Sequence, residues 1–115
     1  MKAMMAALVV AGLGVTQVAH ARQQVVYGVG LSSCGQWRTE RQAVTPDGAS
    51  SELQMMMSSW VTGFVSAVLD LDDVHRYKST DAHGMQVFLD QYCQKNPNDS
   101  LHHAAEALMG ALRQD

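Results

Sequence analysis

The stretch "SELQMMMSSWVTGFVSAV", residues 51–68, decides the fold. Its apolar residues Leu53, Met56, Met57, Trp60, Val61, Phe64, Val65 and Val68 fall at i, i+3, i+4, i+7, i+8, i+11, i+12 and i+15. That is one unbroken face at a period of 3.6, the mark of an amphipathic helix laid on a core. Ser51-Glu52-Leu53-Gln54 opens it in the S-x-x-Q form, in which serine and glutamine side chains satisfy backbone N–H groups that a helix start leaves free. Gly63 costs ~1 kcal/mol relative to Ala inside a helix. With Ala67 four residues on, it predicts a small-residue groove where another helix approaches closely. The stripe reads as core. Met55 lies off it, so the Met55–Met57 run can also act as an adaptable binding surface.

The same period continues on both sides. Met85, Phe88, Leu89, Tyr92 and Cys93 repeat the i, i+3, i+4, i+7, i+8 spacing, which predicts a helix from about Asp81, its N-cap, to Cys93. Leu101, Ala104, Ala105, Leu108, Met109 and Leu112 mark a last helix. Asn96 is expected to cap it, Pro97 to take its first position, and Asp99 to favour the positive end of its dipole. Upstream, Ser33-Cys34-Gly35-Gln36 is another S-x-x-Q box. A helix of two to three turns is predicted there, carrying Cys34, Trp37 and Val44 and ending before Pro46. "TPDGASS" then reads as a turn. Residues 22–32, with Gly28 and Gly30, read as an arm, either extended or a short strand; they lack what a phosphate loop needs. The expected fold is therefore all-α, a small bundle of about four helices.

The first residues say where the chain is expected to go. "MKAMMAALVVAGLGVTQVAHA" carries Lys2, an apolar run from Ala3 to Val15 and Ala19-His20-Ala21. This is the form of a signal peptide, cleaved after Ala21. The run is short against the roughly 20 residues that span a bilayer. The expected organisation is signal peptide 1–21, arm 22–32 and helical domain 33–115, with no membrane attachment after cleavage. The chain carries 8 basic against 11 acidic residues, a net charge of −3, and cleavage would remove one of the basic ones. A mildly acidic chain without a basic stripe argues against nucleic acid.

Only two cysteines are present, Cys34 and Cys93. In an oxidising compartment a structural disulfide is favoured over free thiols or metal ligation. Structural zinc wants four clustered ligands. Closing a loop of about 60 residues is worth ~4 kcal/mol on the chain-entropy account.

No catalytic set stands out, and no cofactor motif. His102 and His103 point about 100° apart on a helix, so they do not share a face as His-x-x-x-His would. No metal site is expected from them without partners from elsewhere. Histidines and carboxylates could instead sense pH in an acidified envelope. "DLDDVHRYKSTD", 70–81, is the most charged segment; it lacks the spacing, glycine and terminal glutamate of a calcium loop. It reads as a connection between helices and, functionally, as a protruding contact loop offering Asp70, Asp72, Asp73, His75, Arg76, Tyr77 and Lys78 to a partner.

Taken in order, Cys34-x-x-Trp37, Trp60-Val61-Thr62-Gly63-Phe64-Val65, Tyr92-Cys93-x-x-Asn96-Pro97 and Leu101-x-x-Ala104 resemble the Rap/Tai group of small periplasmic proteins, named for immunity proteins of bacterial type VI secretion. The likeness spans residues 34–112. It departs at Ala67, where many relatives carry a second glycine. The acid-stress chaperone HdeA is a more distant look-alike. The resemblance implies an all-α domain, a Cys34–Cys93 disulfide, periplasmic location and, for many members, a homodimer. It also implies a function without catalysis: binding and blocking a peptidoglycan amidase toxin. The alternative is an HdeA-like chaperone that loosens in acid and exposes the face around Met55–Met57 to client proteins.

Overall fold

A computed structural model describes residues 25–43 and 45–114. The signal-peptide reading of 1–21, the first arm residues 22–24 and Val44 lie outside them. The described chain runs through a 3-10 turn (Gly28–Leu31), α1 (Cys34–Gln42), α2 (Glu52–Leu71), α3 (Ala82–Lys95) and α4 (Leu101–Leu112). No strand occurs among the described residues. Two isolated antiparallel bridges, Ser33 with Ser100 and Tyr77 with Arg113, tie loops together. The all-α expectation holds.

The starts of three helices follow from their caps. Ser33 Oγ accepts from the Gln36 N–H, Ser51 Oγ from the Gln54 N–H and Asp81 Oδ1 from the Gly84 N–H. Each replaces a bond that the first turn would otherwise lack. The Ser51 hydroxyl also donates to Glu40 at 2.5 Å, which links the end of α1 to the start of α2.

The last helix departs from expectation. It begins at Leu101, and its cap is Ser100, whose Oγ accepts from the His103 N–H. Asn96 is engaged elsewhere. Its backbone N–H and its Nδ2 both donate to Tyr92 O, at 2.9 and 3.0 Å, closing α3. The turn after it caps a different helix: Cys34 N–H donates to Asp99 O at 2.7 Å and Gly35 N–H to Pro97 O at 3.0 Å. Asp99 uses its carboxylate on the Tyr92 hydroxyl, at 2.6 Å, rather than on a helix dipole. That bond and burial raise the Tyr92 phenol above its ordinary pKa. Beside this knot lies the disulfide, Cys34–Cys93, with a Cα–Cα distance of 4.8 Å and both residues fully buried.

The core gathers Trp37, Met57, Val61, Val65, Leu89, Leu101, Ala104 and Leu108 around that bond. On α2 the buried residues are Gln54, Met57, Val61 and Val65. At 100° per residue this arc is turned roughly 50° from the centre of the predicted stripe. Met56 is consequently 50 % exposed, while Leu53, Trp60, Phe64 and Val68 are half-buried. Inside, Gln54 is half satisfied: its Nε2 donates to Ser58 Oγ at 3.0 Å, an oxygen that also takes Gln86 Nε2 at 3.2 Å, while its Oε1 is buried without a partner among the described residues. The expected Gly63–Ala67 helix contact is not made among the described residues: a side chain at Gly63 would meet nothing within 4 Å, and both residues are exposed.

Where it is described the arm is no strand: Tyr27 and Ser32 are extended, and Gly28–Leu31 between them form the 3-10 turn. Its 3-10 turn packs on α2 and α4. Gly28 has φ +67°, a left-handed conformation that glycine adopts without strain. A Cβ on Gly30 would lie 2.2 Å from the Trp60 indole, whose Nε1 donates to Tyr27 O at 3.2 Å.

Candidate functional site

The charged segment splits into an inward and an outward set. α2 runs to Leu71, so Asp70 is an exposed residue of its last turn. Asp72 caps that end of the helix and organises the loop beyond it. Its Oδ1 accepts from the N–H groups of Val74 and His75, at 3.0 and 3.1 Å. Its Oδ2 accepts from the Tyr77 hydroxyl at 2.6 Å and lies 2.8 Å from His75 Nδ1. The Tyr77 and His75 bonds hold the Asp72 carboxyl well below the usual carboxylate range. Asp72, His75 and Tyr77 are therefore half-buried and spent on one another, whereas Asp73, Arg76 and Lys78 are exposed. The loop is also stitched to the C-terminal residues. Lys78 N–H donates to Leu112 O at 2.7 Å and Gln114 N–H to Arg76 O at 2.9 Å. This is a braced connection, not a slack one.

Beside it opens a cleft of about 670 Å³, lined by Phe64, Ala67, Val68, Leu71, Asp72, Asp73 and Val74. Leu71 is 80 % exposed and Val74 77 %. Sequence reasoning missed this apolar element of the site. Leu71 and Val74 stand singly among charges, and the sequence pattern assigns Ala67 to an interior helix contact. The only advance signal was two aliphatic residues bracketing the acidic Asp72-Asp73 pair. Chemically the arrangement offers an apolar floor, an acidic rim and a rigid backbone, which is what a protein partner uses.

Two other places gather polar side chains. In the first, Asp90 on α3 takes the Trp37 indole N–H at 2.8 Å and two Arg41 bonds, Nε at 2.9 Å and Nη2 at 2.8 Å. These flank a cleft of about 420 Å³ shared with Arg38, Gln42 and Gln94. In the second, His102 sits edge-on to Trp60 and Phe64, at ring distances of 6.2 and 5.5 Å. The ring of its neighbour His103 lies 5.8 Å from it, tilted by 40°, and His102 Nε2 reaches Glu106 Oε1, one turn on, at 3.6 Å. One donor atom from each of the three lies within 4.8 Å of the others. The Met-rich run divides too: Met55 is 55 % exposed, as its off-stripe position predicts, and Met57 is fully buried.

Comparison with protein-family models, with characterised proteins and with solved structures gives no match for this chain. Fold and surface together define a class: a small, disulfide-stapled helical bundle with a braced, partly apolar rim.

Proposed function

We propose that this chain is an exported, non-enzymatic binding protein of the Rap/Tai immunity kind, which occludes the substrate cleft of a peptidoglycan amidase toxin of type VI secretion. The observation that carries the reading is the apolar cleft at the end of α2, with Leu71 and Val74 standing out beside the braced Asp72 loop. Exposed aliphatic side chains on a rigid, charged rim mark contact sites for other proteins. The order of motifs supplies the kind of partner. The disulfide implied by that resemblance joins α1 and α3. Asp73 lines the cleft, and Asp70, Arg76 and Lys78 are exposed on the same segment of chain; such charges would steer association more than set its strength.

The experiment adds the purified protein to an exported amidase encoded beside it and follows release of wall peptides. Stoichiometric inhibition is expected. Paired Leu71→Asp and Val74→Asp changes should weaken it by roughly thirtyfold or more, the size of an interface hot spot. Both residues are exposed, so the fold should be retained. Undiminished hydrolysis with the unaltered protein would sink the immunity reading, and inhibition that the paired changes leave intact would move the contact face elsewhere.

A second reading, an acid-stress chaperone, draws on Met55 and Met56, which already face outward. It predicts suppression of client aggregation at about pH 3 and not at neutral pH, through carboxylate protonation. Equal suppression at both, or none, would remove it.

A further inference from the structure

We propose that His102, His103 and Glu106 form a binding site for a borderline divalent transition-metal ion of the zinc or copper class. The site meets the partner cleft only through the Phe64 ring, which lines the cleft and packs on His102, and it does not depend on that reading. Two imidazoles and one carboxylate are the donor set such ions select, in preference to calcium or magnesium. The geometry is close to closed. His102 Nε2 and Glu106 Oε1 are 3.6 Å apart, against about 3.3 Å for two ligands at tetrahedral positions around zinc. The third donor comes from His103, and all three fall within 4.8 Å.

What lifts this above a chance grouping is how His102 is held. Its side chain is only 13 % exposed. Its ring is fixed edge-on against Trp60 and Phe64, which themselves stack at 5.5 Å. One ligand is thus preset by packing while His103 and Glu106 stay free to close over the ion. Three protein donors leave a coordination position for water. Helical spacing alone would send residues i and i+1 about 100° apart, yet the two imidazoles come to 5.8 Å, centre to centre. The carboxylate one turn later, three residues from one and four from the other, adds the third donor on the same side.

Trp60 reports the event. Copper(II) bound at His102 would lie close to the indole, whose ring centre is 6.2 Å from that of the imidazole, and quench its emission, while Zn²⁺ gives heat without quenching. The experiment titrates each ion into the oxidised full-length protein, by fluorescence for copper and calorimetry for zinc. Saturable one-to-one binding is expected. His103→Ala and Glu106→Gln, both at accessible positions, should each weaken it at least about tenfold, since even indirect supports of a metal site cost that much. Their circular dichroism should match the parent. His83→Ala, on the exposed start of α3, should change nothing. Absence of saturable binding would overturn the proposal. So would binding that survives both ligand changes, or binding that His83→Ala removes.

Discussion

Asp90 shows how one side chain can carry more than its ion pair suggests. Its link to Arg41 is half-exposed, with the two side chains 38 % and 30 % accessible, and pairs of that kind contribute about 0–1 kcal/mol. Its other partner is the indole N–H of Trp37, a residue only 1 % exposed. A donor buried without its acceptor costs ~1–3 kcal/mol. Asp90→Ala should therefore destabilise the protein by ~1–3 kcal/mol, and Arg41→Ala by less than about 1 kcal/mol. Urea unfolding followed by tryptophan emission measures both. Equal costs would show that the charge pair, not the indole bond, sets the effect. Nothing in the sequence pairs Trp37 with Asp90, because they are brought together only by the packing of α1 on α3.

At the scale of the element, period and caps were legible and rotation was not. Ser33, Ser51 and Asp81 act where the sequence placed them, since each cap is a local bond between near neighbours in the chain. Asn96 failed as a cap because two nearby helix ends compete for it, and closing α3 engages it first. α2 starts where its cap predicts and runs into the segment read as a connection, to Leu71, and its buried arc turns toward Gln54, whose Nε2 finds a hydroxyl. The apolar cleft stayed hidden for the same reason: which side of α2 is left uncovered depends on where α1, α3 and α4 settle. The arm gained its shape from contact with Trp60, which no local pattern encodes. That contact is testable. Gly30→Ala places a methyl 2.2 Å from the indole, so the ring or the turn must shift, at a cost of ~1–3 kcal/mol for overpacking. Gly28 sits nearby with open space around its α-carbon but a positive φ, so Gly28→Ala strains the backbone without touching the indole. Thermal unfolding should fall in both variants, while the Trp60 emission maximum should move only in Gly30→Ala. An unmoved spectrum there would mean that the arm does not rest on Trp60.

Over the whole molecule, acid is the condition that separates the two functional readings, and Asp72 is where its effect can be signed. The loop it organises joins α2 to α3 and is bonded to the C-terminal residues, so loosening it would open one end of the bundle. Donors from Tyr77 and His75 lower its pKa in the folded chain. An ordinary unfolded aspartate titrates near ~3.9. A group depressed by folding adds stability that is complete above its unfolded value. That stability is lost as the pH falls from there through the folded value. From neutrality to about pH 4 this loop should therefore hold, and acid within that range cannot spring it. Asp72→Asn keeps an acceptor for the Val74 and His75 N–H groups but removes the charge that Tyr77 and His75 address. Unfolding free energies of the parent and Asp72→Asn, taken across a pH series, should differ by a constant amount down to about pH 4 and converge only below it. A gap that shows no change below about pH 4 would mean that the carboxylate is not held low, and one that closes between neutrality and about pH 5 would mean that a group other than Asp72 controls the loop. The braced loop would then be an acid-sensitive latch, an arrangement that suits the chaperone reading better than a fixed inhibitory face.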